Sequence, residues 1–285
     1  MKNRNVKAFA ILTLLSLNVL RTNAQQLKIP APSPLQSIDQ AFALSNIKVE
    51  YSRPSVKGRV VFGDLIPYGK IWRTGANAAT KVSFGDDVTL EGKTINAGTY
   101  ALYTIPGQGS WEIIFYKDLS LGGNLSEYKP SNEVLRFTVK TSSLSEKMET
   151  FTINFSEVSP STANLDLMWE KTRVSIKVVA DIDSKIMKNI EANVINDGRP
   201  YFQAANYFYE NNKDLKKALE WSDKAIEQNP KYYVIHLKAK IQMKMKDYQG
   251  AIETAEKSLA SAKLDNSDDY IRLNEKLIAE AKKSK

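Results

Sequence analysis

The chain has 285 residues, 42% hydrophobic and 25% charged, which is enough for two domains with cores of their own and too apolar for a disordered chain. It has no cysteine and a single histidine, His236. That excludes disulfides, thiolate chemistry, a lipid-modified cysteine and a multi-histidine zinc site, and it leaves a Ser-His-Asp arrangement only if His236 reaches across domains.

Lys2, Arg4 and Lys7 precede a mostly apolar run of 13 residues, Ala8 to Leu20, and Thr22-Asn23-Ala24 end small before Gln25. The pattern predicts a secretory signal peptide over 1–24 and a periplasmic or secreted protein. The run is shorter than the roughly 20 residues of a spanning helix. No later segment is long enough, so no membrane span is expected after cleavage. Removing residues 1–24 takes away four positive charges and no acid, which lowers the formal charge from +8 to +4. Residues 51–81 alone carry +5, so the whole surplus lies in one stretch. A local basic patch on an exported protein points to an anionic small molecule or glycan and not to nucleic acid. A solvated basic face is the bland alternative.

Residues 25–45, with prolines in KIPAPSP, are expected to be an extended tether. From Ile47 the period is two, with Ile47, Val49, Tyr51 and Arg53 on one strand face. The alternation recurs at Lys81–Phe84, Thr99–Ile105, Trp111–Lys117, Leu135/Phe137/Val139, Phe151/Ile153/Phe155, Leu165/Leu167/Trp169 and Val174/Ile176/Val178. Turn residues separate these runs, among them Gly85-Asp86-Asp87 and Gly122-Gly123-Asn124, and residues 118–132 form the longest loop. The fold class is therefore α+β multidomain: an antiparallel β-sandwich or open barrel over 46–180, then an all-helical repeat domain over 181–285.

In the second part the period becomes 3.6, with helices expected near 182–196, 201–211, 214–228, 231–245, 247–262 and 268–283, and with Asp214 and Asp247 as caps. KDLKKALEWSDKAI at Lys213 repeats as KDYQGAIETAEKSL at Lys246, an offset of 33 residues. With Tyr209, Ala218, Ala225 and Pro230, this resembles the tetratricopeptide repeat, although Asn206 replaces a small residue and the second repeat is one residue short. Gln203, Tyr207, His236 and Lys240 are the candidate contacts for a protein or peptide partner.

The candidate ligand residues lie in YSRPSVKGRVVFGDLIPYGKIWRTGANAATK, residues 51–81. Arg53 has core parity, and Arg73 follows Ile71 and Trp72. One reading is a shallow anion pocket of Arg53, Arg59 and Arg73, with Asn77 and Thr80 as polar groups and Tyr51, Tyr68 and Trp72 as walls. The other is a pinned loop, in which the same arginines meet Asp64, Glu50 and loop carbonyls. Asp86 and Asp87 fit a hairpin turn. Glu112, Asp118, Glu127, Glu133 and Glu170 are available as carboxylates for hydrolysis, but no spacing selects two of them.

Tyr51-Ser52-Arg53-Pro54, Lys57-Gly58-Arg59, Phe62-Gly63-Asp64-Leu65, Pro67-Tyr68-Gly69, Trp72-Arg73-Thr74-Gly75-Ala76-Asn77 and Ala79-Thr80, followed by Ala97-Gly98-Thr99-Tyr100, Thr104-Ile105-Pro106, Trp111 and Trp169-Glu170-Lys171-Thr172, resemble the bacterial domain-of-unknown-function family DUF2911. The resemblance covers roughly 45–180. It implies an exported protein of the Bacteroidetes type, often with helical repeats appended, and it supplies no activity. Three function classes stay open: a binding module for an anionic ligand and a protein partner, a carboxylate- or Tyr/Lys-dependent envelope hydrolase, and a ligand-free envelope scaffold. No metal and no cofactor is expected.

Overall fold

The computed structural model describes residues 29–195 and 200–284, and the segment read as a signal peptide lies outside them. The chain divides into two units, one up to Ala180 and one from Asp181.

The first unit is a nine-stranded antiparallel sheet in the order β1-β2-β3-β6-β7-β8-β9-β4-β5. Strand β1 spans Leu35–Phe42, β2 Ser45–Ser52, β3 Ala76–Phe84, β4 Val88–Leu90 and β5 Lys93–Ile95. Strand β6 spans Gly98–Pro106, β7 Ser110–Tyr116, β8 Glu133–Ser156 and β9 Thr162–Val179. In β2, Ile47, Val49 and Tyr51 are buried, as their spacing requires. The expected tether over 25–45 needs correction. Residues 35–42 are a strand that pairs with β2 from Leu35↔Ser52 to Phe42↔Ser45. No further strand pairs with its other edge among the described residues, and the face that Gln36, Ile38 and Gln40 turn inward is only part-buried, so polar side chains are tolerated there and the sequence alternates little.

Strands β8 and β9 each run through what the alternation predicts as two strands. In β9 the buried set changes parity, from Leu165, Leu167 and Trp169 to Val174, Ile176 and Val178. The change falls at Glu170, whose φ is +50° and whose partner Met148 sits between two register shifts. A bulge there lets one strand continue while its side chains swap faces. The sheet also rolls back on itself. Past β2, Val56 N–H donates to the Glu149 carbonyl at 2.8 Å and Phe151 N–H donates to that of Pro54 at 2.8 Å, which closes β2, β3, β6, β7 and β8 into a ring.

Five rings fill the interior: Phe62, Trp72, Trp111, Phe151 and Trp169. Trp72 stacks on Trp169 with centroids 5.9 Å apart and meets Phe151 edge-on at 5.1 Å, and Phe62 meets Trp111 at 5.0 Å. A second apolar layer lies on the other side of β3, β6 and β7. There Ala101, Tyr103, Ile114 and Tyr116 are covered by Leu121, Leu125 and Tyr128 of the long loop.

Among the described residues the second unit has six α-helices, α1 Asp183–Ile190, α2 Tyr201–Glu210, α3 Leu215–Gln228, α4 Tyr232–Lys244, α5 Tyr248–Leu264 and α6 Asp268–Ser284, with a π-helical turn, Glu191–Ile195, after α1. Asp214 accepts from the Lys216 and Lys217 amides and Asp247 from that of Gly250, so both act as N-caps. Phe208 and Trp221, with centroids 4.8 Å apart, join Leu237 and Ile241 in one core. Ala239, Ala251, Ala255 and Leu277 form another, where small side chains bring the helices close. No helix among the described residues is long and apolar enough to cross a membrane.

Trp72 is 5% exposed and Tyr68 41%. Trp72→Ala is expected to cost about 3–5 kcal/mol of β-unit stability in urea unfolding, and Tyr68→Ala about 1 kcal/mol or less.

Candidate functional site

The 51–81 segment is anchored mostly by its own polar groups. Arg53 Nε donates to the Phe151 carbonyl at 3.1 Å and Nη2 to Thr152 Oγ1 at 2.7 Å. Arg59 donates to the carbonyls of Val56 and Ser55 at 3.0 and 2.7 Å. The Tyr51 hydroxyl donates to Gln36 Oε1 at 2.9 Å and accepts from the Ile153 amide at 2.8 Å, far inside the sheet. Burial raises its pKa. Asn77, at φ +58°, donates to Ser52 Oγ at 3.1 Å and to the Ser33 carbonyl at 3.2 Å. Thr80 is buried and donates to the Thr74 carbonyl.

The seven expected ligand residues therefore do not form one pocket. Tyr51 and Trp72 are core residues, not walls. Arg53 follows the inward parity of Tyr51 and reaches β8. Arg73 follows inward-facing Trp72 and so turns the other way, to the layer that holds Tyr103. The acceptors of Arg53 and Arg59 are carbonyls and a hydroxyl, and neither Asp64 nor Glu50 is among them.

Arg73 is different from both. Its Nε is buried without a hydrogen-bond partner. Gly123 lies so near that a Cβ there would stand 2.5 Å from Nη1 and 3.0 Å from Cζ. Beside it, the Tyr103 hydroxyl donates to the carbonyls of Leu121 and Gly122 and holds the loop down. Burial pushes Tyr103 up to about 12, and the Tyr116 and Asp118 charges add to this while the Arg73 charge opposes it. Tyr103 is thus a neutral donor at pH 7. Gly123 and Tyr103 are absent from the expected site because Gly122-Gly123 reads as a turn and Tyr103 as one more strand aromatic.

The expected partner residues are divided between two grooves. Gln203 and Tyr207 line a cavity of about 200 Å³ with Ile186, Asn189 and Ala204. There the Tyr207 hydroxyl donates to Asp183 at 2.5 Å, and Lys213 bonds the same carboxylate at 2.7 Å. His236 and Lys240 line a larger groove of about 350 Å³ with Tyr209, Lys244, Lys276 and Glu280. Lys240 and Lys244 sit 4.5 Å from the centroid of the Tyr209 ring. Lys240 also bonds Glu210 at 3.1 Å, and Lys244 the Tyr209 carbonyl at 2.7 Å.

His236 is oriented from below. Its Nδ1 lies 2.8 Å from Asn274 Oδ1, while Asn274 Nδ2 donates to Ser258 Oγ at 2.9 Å and to the Tyr270 carbonyl at 2.7 Å. With the amide nitrogen so occupied, Oδ1 is the acceptor and Nδ1 carries the proton. Nε2 of the neutral ring is then a bare acceptor.

Among the carboxylates considered for hydrolysis, Glu112 and Glu133 come together only across Arg136, at 2.6 and 2.7 Å. The Arg136 hydrogen bond holds Glu133 below the usual carboxylate range. Glu133 is thus held ionised by a cation and is not set up as a general acid. Among the described residues no group of three or more His, Asp or Glu side chains is arranged to hold a metal ion.

A rolled antiparallel sheet with its loops pinned by arginine, joined to a helical unit with a basic groove, defines an α+β protein with two separate surfaces. The family model described as Protein of unknown function (DUF2911) matches residues 33–178, and the chain belongs to that family. No curated protein and no solved structure matches it.

Burial depresses the His236 pKa, the Asn274 bond opposes this, and Lys240 adds to the depression. The unfolded chain takes up a proton near 6.5 while the folded ring resists it, so stability is level above that pH and falls as pH drops from 6.5 toward the folded value. Urea unfolding of the helices at pH 7.5 and 5.5 is expected to show that loss, and His236→Gln is expected to remove it.

Proposed function

We propose that the chain is an exported binding module, in which the helical unit engages an acidic segment of a protein partner and the β unit holds an anionic small molecule or glycan. Export rests on the short apolar run and small-residue end of residues 1–24, and it places the protein in the periplasm or outside the cell. The helices act as tetratricopeptide-like repeats, whose stacking leaves a concave groove.

Three ammonium groups, Lys240, Lys244 and Lys276, line one groove in which Glu280 is the one carboxylate among the described residues, and this carries the reading. Tyr209 fixes two of them, and Glu210 and Glu280 meet Lys240 and Lys276 only at the exposed rim. Rim pairs of this kind contribute little and exchange readily for a ligand's carboxylates. An acidic peptide matches the surplus charge, and its apolar side chains meet Met243, Leu273 and Leu277 on the same walls.

Fluorescence anisotropy with a labelled Asp/Glu-rich peptide tests the groove. Binding is expected to weaken with salt and to fall at least about tenfold in Lys240→Glu/Lys244→Glu. Lys216→Glu, an exposed change outside the groove, is expected to leave it unaltered. No binding, or equal loss in both variants, removes the reading.

A further inference from the structure

The Arg73 side chain makes no hydrogen bond and no ion pair to any other described residue, and its Nε is shielded from solvent with no acceptor. A guanidinium in that condition carries a desolvation cost that the protein itself does not offset. Arg53 and Arg59, in the same segment, are both supplied with acceptors. The difference is local and needs a reason.

The mounting is rigid. Thr74 follows at φ +55°, a left-handed conformation that a β-branched residue adopts only where its surroundings impose it. Its hydroxyl is bonded to Thr104 Oγ1 at 3.1 Å, and the Arg73 carbonyl accepts from the Thr80 amide at 3.2 Å. Trp72, on the other side, is locked in the aromatic core. The backbone on both sides of Arg73 is thus fixed, and its side chain is held against Gly123. That position offers no side chain to bond it and none to obstruct a ligand.

We propose that Arg73 and the adjoining Gly122-Gly123 loop form a binding site for a carboxylate-bearing small molecule, such as an organic acid or an acidic sugar. This inference rests on the binding-module reading and gives the β unit's share of it a location and a chemical class. Nε–H and the neighbouring Nη–H of a guanidinium point the same way, so the two oxygens of a carboxylate satisfy both at once. One positive charge, with Asp118 acting on the same tyrosine, suits a monoanion better than a phosphate dianion. Glycine at 122 and 123 lets backbone approach the ligand without a Cβ in the way.

The test follows the Arg73 Nε–H resonance in the proton–nitrogen spectrum of the mature full-length chain. Sodium glucuronate, acetate, sulfate and chloride are added at constant ionic strength. A saturating downfield shift with glucuronate or acetate, weaker with sulfate and absent with chloride, is the expected result. A preference for glucuronate over acetate identifies an acidic sugar as the source of the carboxylate, and equal response identifies a simple organic acid. Arg73→Lys is expected to abolish the accompanying shifts of the Gly122 and Gly123 amides. Lys240→Glu/Lys244→Glu, which disables the helical groove, is expected to keep them. A drift that never saturates and is shared by all four anions overturns the proposal, as do loop shifts that persist in Arg73→Lys. The wild-type titration decides alone if Arg73→Lys does not fold. Failure here with acidic-peptide binding intact removes the carboxylate site and leaves the helical groove standing.

Discussion

Trp72 stacked on Trp169 is the contact on which the β unit depends. It draws an irregular segment, rich in glycine and basic residues, into the middle of a rolled sheet and gives that segment a buried anchor. Phe62 adds a second anchor against Trp111, and Trp72 is also paired through its backbone to Thr104 of β6. With two rings fixed inside, the backbone between them must turn sharply. Its polar groups find acceptors where they can: Arg59 in the preceding turn, and Trp72 Nε1 on the Gly75 carbonyl at 3.0 Å. Two of the segment's three arginines, Arg53 and Arg59, are spent on carbonyls and a hydroxyl of the fold. Arg73 is the exception among the three, because the same anchoring that buries Trp72 turns its neighbour to the opposite face.

The helical unit solves a related problem differently. Its core is built from alanines and a few large rings, and polar side chains inside it are satisfied in chains, His236 to Asn274 to Ser258 and Thr254 to Gln242 to Asp247. Such a chain fixes the tautomer of His236 and the direction in which its free nitrogen points. The lysines around it are held by Tyr209 and by rim carboxylates, so the protein's own side chains organise the groove.

Much of this architecture is legible in the sequence where one physical constraint dominates. Ile47, Val49 and Tyr51 alternate because one face of β2 is buried, and the helices announce themselves through Asp214, Asp247 and a 3.6-residue period. Strand β1 is not legible, since an edge strand preceded by prolines has neither strong alternation nor a turn before it. The continuity of β9 is hidden by the parity change at Glu170, a backbone conformation no side chain advertises. The expected convergence of Arg53 and Arg73 fails by the parity rule itself: burying Trp72 commits Arg73 to the other face. Lys244 is legible too, because it continues the four-residue spacing of His236 and Lys240 along α4. Lys276 is not, because it arrives from a different helix.

Arg53 is compensated within the fold and Arg73 is not. Urea unfolding of the β unit in Arg53→Met and Arg73→Met separates the two most directly, since methionine keeps much of the side-chain volume and removes the charge. Arg53→Met loses bonds to Phe151 and Thr152 and is expected to lower stability by about 1–3 kcal/mol. Arg73→Met relieves an unpaired, partly buried cation and is expected to leave stability unchanged or raise it. A loss in Arg73→Met as large as that in Arg53→Met would mean that the fold already supplies Arg73 with its partner, and that the two arginines are not different.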